Sequence, residues 1–128
     1  MDKYRIIIAG GRDFEDYDSL KKHMTECLST VSDIIDGKEI VIVSGTAKGA
    51  DSLGERFAEE YGYAIEKFPA NWDAYGKRAG IIRNIAMADH ADALIAFWNG
   101  SSRGTANMIA TATRKILHLF PVYYYRSR

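Results

Sequence analysis

The sequence predicts an α/β architecture: three layers, with a mainly parallel sheet of about five strands between two layers of helices. Three observations lead there. Short apolar runs alternate with helical patterns along the chain, the runs are continuously apolar, and most end in glycine-rich turns that lead almost directly into a helix. Strands buried on both faces read as unbroken apolar runs, which is what a parallel sheet with helices on either side requires. At 128 residues one domain over residues 1–128 is expected, long enough to bury roughly two thirds of its unfolded surface.

The elements follow in order. Tyr4 to Ala9 (YRIIIA) is the first strand, stopped by Gly10-Gly11. Tyr17, Leu20, Met24, Cys27, Leu28 and Val31 then fall at helical spacing, with Asp16 or Asp18 as the cap. Ile40 to Val43 is the second strand; Ala50, Leu53, Phe57, Ala58 and Tyr61 make the next helix face, ended by Gly62. Tyr63 to Phe68 reads as a third strand, interrupted by Glu66 and Lys67, and the connection PANWDAYGKRAG leads to a helix carrying Ile82, Ile85 and Ala86. Ala93 to Trp98 (ALIAFW) is the fourth strand. A helix from Gly104 presents Ala106, Ile109, Ala110 and Thr113, and Ile116 to Phe120 is the last strand. Beyond Pro121 the tail VYYYRSR either extends that strand or packs on the surface.

Composition excludes several function classes. Apolar residues make up 47% and charged residues 27%, as in a folded globular protein. Seventeen basic residues balance seventeen acidic ones, which argues against a general nucleic-acid or membrane-surface binder. Cys27 is the only cysteine, so no intrachain disulfide forms, and no metal site or cofactor is evident. The three histidines, His23, His90 and His118, lack metal-ligand spacing. The N-terminus lacks a signal-peptide pattern and no run reaches the length of a membrane span, so a cytoplasmic protein is expected.

In a right-handed α/β sheet all strand-to-helix loops share one edge, where ligands bind. Two loops there have the chemistry of an anion cradle. SGTAKGAD (Ser44, Gly45, Thr46, Ala47, Lys48, then Gly49 to Asp51) puts small residues at a helix N-terminus, whose N–H groups and partial positive charge suit phosphate or carboxylate. Lys48 adds a cation; Asp51 serves either as an acceptor for ribose hydroxyls or as a helix cap. The second loop, Asn99, Gly100, Ser101, Ser102, Arg103, Gly104 and Thr105, gathers hydroxyls, backbone N–H groups and a guanidinium within seven residues. Neither loop is a Walker P-loop or a G-x-G-x-x-G fingerprint. Gly11, Arg12 and Asp13 come from the first loop, and Trp72, Lys77, Arg83 and Asn84 from the third. Gly10 to Asp16 holds one basic residue against three acids, whereas Pro69 to Asn84 holds three against one, which makes the later loops the better phosphate side. Trp72 and Trp98 either stack on a base or pack at the rim.

GGRDF at 10–14, SGTAKGAD at 44–51, FPANWDAYGKRAGIIRN at 68–84 and FWNGSSRGTANMI at 97–109 together resemble the YspA/YpsA-related branch of the SLOG superfamily, named for the Smf/DprA and Lonely Guy proteins. The resemblance implies a Rossmann-like fold that binds nucleotides or nucleotide-derived ligands at the carboxyl edge of the sheet, and a homo-oligomer, for which the YYYRSR end or an exposed helix face offers a surface. Two positions depart from the pattern. Thr46 stands where the family usually has a second glycine, and Met108 stands where Lonely Guy phosphoribohydrolases carry their catalytic glutamate. Arg83 matches the arginine of the R-N motif.

Three functions follow as expectations. The first is a non-catalytic binder of a nucleotide-type ligand: a sensor, carrier or sequestering protein. The second is a nucleotide hydrolase of phosphoribohydrolase type, for which Asp13, Asp51 or Asp73 must replace the missing carboxylate, since a methionine neither stabilises an oxocarbenium ion nor activates water. The third is a single-stranded nucleic-acid module, which the zero net charge disfavours.

Overall fold

The computed structural model describes residues 2–125. Five strands, β1 (Lys3–Gly10), β2 (Glu39–Ser44), β3 (Ala64–Lys67), β4 (Ala93–Trp98) and β5 (His118–Tyr123), form one sheet in the order β3-β2-β1-β4-β5, and every adjacent pair is parallel. The helices are α1 (Tyr17–Thr30), a single turn α2 (Ser32–Ile35), α3 (Ala50–Tyr61), a single turn α4 (Trp72–Tyr75), α5 (Ala79–His90) and α6 (Arg103–Arg114), with a 3-10 turn over Gly76–Arg78. Among the described residues no helix is long and apolar enough to cross a membrane.

The continuous apolar runs have the predicted cause. Along β1, Tyr4, Ile6 and Ile8 face one core with Leu20, Met24 and Cys27 of α1 and Phe57 and Ala58 of α3. Ile7 and Ala9 face the other, with Met87 and Ala88 of α5 and Met108 and Ala112 of α6. Period-two geometry sends alternate residues to opposite layers, so both registers must be apolar. Ile6, Ile7 and Ile8 are wholly buried, and each contributes about 1.5–3 kcal/mol by leaving water.

Local chemistry sets the helix ends. Asp16 caps α1 by accepting from the Ser19 N–H at 3.0 Å. Gly62 ends α3 in the left-handed conformation, and the Tyr63 N–H closes on the Ala58 carbonyl at 2.8 Å.

Several expectations need correction. The last strand runs from His118 to Tyr123 instead of Ile116 to Phe120: Ile116 adopts a positive φ and is exposed, and Pro121 sits inside the strand. A proline is tolerated there because β5 is an edge strand whose outer side has no ladder to supply. Val122 and Tyr123 extend the strand and Tyr124 then packs against Phe14, while the RSR end of the tail lies outside the described residues. Both later helices are turned from the expected faces. In α5 the buried residues are Ala79, Asn84, Met87 and Ala88, while Ile85 and Ala86 are exposed. In α6 they are Thr105, Met108, Thr111 and Ala112, while Ala110 and Thr113 are exposed. These helices pack on each other as well as on the sheet, so small residues, threonines and flexible methionines take the inner positions. Tyr61, expected on the inner face of α3, is half exposed with its ring 4.6 Å from that of Phe57.

Candidate functional site

Chain order runs outward from β1 through β2 to β3 on one side, then resumes at β4 and β5 on the other. The direction reverses between β1 and β4, and a crevice opens beyond the carboxyl ends of such strands. A cleft of about 390 Å³ lies there, within the range of small-molecule sites. Its walls come from β1 (Ala9, Gly10), the following loop (Arg12), the β2–α3 loop and α3 (Ala47, Asp51), the 3-10 turn (Lys77), α5 and α6.

The two expected cradle loops meet through α5. Arg83 Nη1 donates to the Gly45 carbonyl at 2.5 Å, and the adjacent Asn84 Nδ2 donates to the Gly104 carbonyl at 3.4 Å. Asn84 is held further by its bond to Asn107 Oδ1 (3.0 Å) and accepts from Arg83 Nε (3.0 Å). Gly45 leaves room for this arrangement: a Cβ there would come within 2.7 Å of Arg83 Nη1 and 2.9 Å of Asp51 Oδ2, and those side-chain ends would have to shift. Gly49 is required, because its φ is +77° and a side chain would run into the Gly11 carbonyl.

Asp51 is the buried acid of the cleft, 5% exposed, with Oδ2 accepting the Ala47 N–H at 3.1 Å. Burial pushes its carboxyl up to about 6, against the pull of the Ala47 N–H and of the Arg83 and Arg12 charges. Burial also lowers Arg83, which Asp51 partly counteracts. Among the described residues four basic side chains, Arg12, Lys77, Arg83 and Arg103, line the cleft against the single carboxylate of Asp51. That excess favours an anionic guest.

Many loop N–H groups are already engaged. Thr46 donates to Ser44 Oγ (3.1 Å), Ala47 to Asp51, and Ala50 to the Gly11 carbonyl (3.2 Å). Asn99 Oδ1 accepts from Ser101 (2.8 Å) and Ser102 (2.9 Å), while Ser102 caps α6 by accepting from Thr105. The positive character of the cleft therefore rests on side chains more than on open backbone. Gly100 and Gly104 border open space, since a Cβ at either would meet nothing within 4 Å.

Of the residues proposed from sequence, Arg12, Ala47, Asp51, Trp72, Lys77, Arg83, Asn84, Ser102, Arg103, Gly104 and Thr105 line the cleft. Gly11, Ser44, Gly45, Thr46, Lys48, Asn99 and Gly100 lie in its loops without lining it. Ser44 Oγ turns away to Glu55 Oε2 at 2.6 Å. Asp13 accepts from the Tyr124 hydroxyl, and Asp73 sits exposed in the turn α4; neither faces the cleft. Trp98 binds the Ser102 carbonyl through Nε1 at 3.1 Å and serves the rim, whereas Trp72 stands half exposed at the cleft wall. Sequence reasoning missed Ala9, Gly10, Gly80, Ile81, Met87 and Asn107. Asn107 was within reach, being one helical turn after Gly104. Met108 lies at the floor, 1% exposed, among Met87, Ala9 and Leu94. Among the described residues no group of three or more His, Cys, Asp or Glu is gathered as for a metal.

The family model of the YspA, cpYpsA-related SLOG proteins matches residues 4–75. The chain belongs to that family. The matched part of this SLOG protein holds GGRDF and SGTAKGAD, while Arg83, Arg103 and Met108 lie beyond it. Similar proteins include the Gene 61 protein of Mycobacterium phage D29, 37% identical over 81 residues; the alignment covers 59% of this chain and 65% of the phage protein's length. Among solved structures, TM1055, a structural genomics target, superposes with a TM-score of 0.62 at 16% identity, over 93% of this SLOG chain and 72% of its own. That likeness supports the α/β, Rossmann-like fold.

Proposed function

We propose that the cleft binds a nucleotide or nucleotide-derived phosphate ligand, and that the protein acts as a sensor, carrier or sequestering protein. The observation that carries this reading is the pair Arg83–Asn84, which joins the Gly45 and Gly104 loops into one wall of a cleft with four cations and one acid. The phosphate lies against Arg83, Arg103 and the first turn of α6, where charge-assisted bonds are strongest. Trp72 and Ile81 offer the apolar surface a base requires. Titration with AMP, ADP, ADP-ribose and cyclic nucleotides, followed by thermal shift and calorimetry, tests it. Folded protein that responds to none of them refutes it.

Asp51 favours a second reading, hydrolysis of the nucleotide's N-glycosidic or phosphate bond. It is the one carboxyl lining the cleft, and its pKa of about 6 suits a group that takes up and releases a proton near neutrality. Chromatography of products separates the readings: turnover abolished in Asp51→Asn supports the hydrolase, and intact nucleotide after long incubation supports the binder. The same proposal includes a homo-oligomer built on the exposed Trp72, Tyr75, Ile81 and Ile85 of α4 and α5, and a cytoplasmic setting for the free thiol of Cys27. Native mass spectrometry reads subunit number and copurified ligand together.

A further inference from the structure

The residue after β5, Tyr124, packs against the loop that follows β1. The Tyr124 N–H donates to the Trp98 carbonyl at 3.0 Å, carrying the β4–β5 ladder one residue past the strand. Its ring lies 4.9 Å from that of Phe14, which stacks at 4.5 Å on Phe97, wholly buried in β4. Its hydroxyl donates to Asp13 Oδ1 at 2.5 Å. The fit is close enough that a side chain at Gly11 would occupy the position of the Tyr124 hydroxyl.

Asp13 and Phe14 belong to the loop that carries Arg12 into the cleft. On its other side the same loop is fixed by α3: Gly11 accepts from Ala50 at 3.2 Å, and Gly49 packs against the Arg12 backbone. Arg12 is itself exposed, so its aim depends on these backbone anchors rather than on burial of its side chain. The loop is thus gripped between the start of α3 and the end of the chain's last strand.

We infer that Tyr124 is a positioning residue for Arg12: its hydroxyl, bonded to Asp13, straps the Gly11–Phe14 turn and holds the Arg12 guanidinium toward the anion in the cleft. The part concerning the anion rests on the ligand reading above. Neither tyrosine nor Asp13 touches the ligand; both act through the backbone of the turn.

Tyr124→Phe keeps the ring and removes the strap, and Asp13→Ala removes the acceptor. Hydrogen exchange of the peptide spanning Gly11–Phe14, in ligand-free protein, is expected to quicken about tenfold in each variant, as the loss of a hydrogen bond to a carboxylate implies, with unchanged exchange in β1. Unchanged exchange at Gly11–Phe14 overturns the inference. AMP binding is then measured in a double-mutant cycle with Arg12→Ala. Tyr124→Phe is expected to weaken binding about fivefold in the native background and not at all once Arg12 is gone. An equal loss in both backgrounds overturns the role through Arg12. A native protein that binds no AMP counts against the ligand reading of the cleft, and the exchange comparison then decides the strap alone.

Discussion

Replacing Asp51 with asparagine is expected to change how stability depends on pH, in a direction that burial alone dictates. An ordinary aspartate titrates at 3.8, whereas Asp51 in the folded protein is raised to about 6. The native state therefore holds this proton more tightly than the unfolded chain does. Stability from the neutral carboxyl is fully present below about pH 4, and it is lost as pH rises through about 6. The size of the loss is the pKa difference multiplied by 1.36 kcal/mol, or about 3 kcal/mol. Against a total stability of about 5–15 kcal/mol for a domain, that is readily measured. Asparagine keeps an oxygen for the Ala47 N–H but cannot ionise, so the variant lacks this one titration. Urea unfolding of both proteins at pH 4, 5, 6 and 7 gives the difference in stability at each pH. The variant should gain about 2.5 kcal/mol relative to the native protein between pH 4 and pH 7, on top of whatever constant offset the amide brings. Carboxylates shared by both proteins cancel in the comparison. A difference that stays flat with pH, or one that moves in favour of the native protein as pH rises, would refute the placement of an ionisable carboxyl in a dry cleft wall.

Arg103→Ala is expected to weaken nucleotide binding by about 1.5–3 kcal/mol, the worth of a charge-assisted phosphate contact, measured by calorimetry; unchanged affinity removes Arg103 from the site. Thr46 has a φ of +65°, a conformation that costs an ordinary residue about 1–2 kcal/mol. Thr46→Gly relieves it at an entropic cost of about 0.5–1 kcal/mol, for a net gain of about 0.5 kcal/mol in urea unfolding. A loss of stability would show that the threonine side chain makes a compensating contact. Cys27 is buried and its thiol is pushed up to about 11 by that burial, so a thiol reagent at pH 8 should modify it only on unfolding. Cys27→Ala is expected to cost about 1 kcal/mol in stability and leave AMP affinity unchanged.

The fold was legible where a single rule dominates. Ala93–Trp98 is a central strand bounded on both sides by polar or turn residues, and its predicted ends match. The α1 face was legible because that helix packs its stripe inward, as Leu20, Met24, Cys27 and Val31 show. The faces of α5 and α6 were not, because helical periodicity names a stripe without knowing its neighbours. Asn84 is the clearest case: its amide counts as polar in any pattern, yet it is 6% exposed and satisfied by Gly104 and Asn107. Such a residue is invisible to periodicity until its partners are placed. The site showed the same division. Glycines at strand ends marked the edge of the sheet where the cleft opens, since backbone geometry demands them there. Which groups face the cleft depended on the path of each loop after its first hydrogen bond, and that path is a tertiary property.

The distinction between backbone and side chain matters for how the cleft would recognise the proposed anion. A glycine-rich turn suggests a nest of open N–H groups, but Thr46, Ala47 and Ala50 donate within the protein. The glycines at 45 and 49 instead make room: one for the Arg83 guanidinium, the other for the Arg12 backbone. A Cβ at either position would crowd an arginine that lines the cleft. Arg83 uses the fork of its guanidinium, donating through Nη1 to Gly45 and through Nε to Asn84. A lysine offers one ammonium on a flexible stem and reproduces neither the plane nor the spacing of those two bonds. Charge alone would treat the two residues as equal; the geometry does not. The proposed anion site is therefore organised around the hydrogen-bonded wall Gly45–Arg83–Asn84–Gly104, with the buried carboxyl of Asp51 beside it.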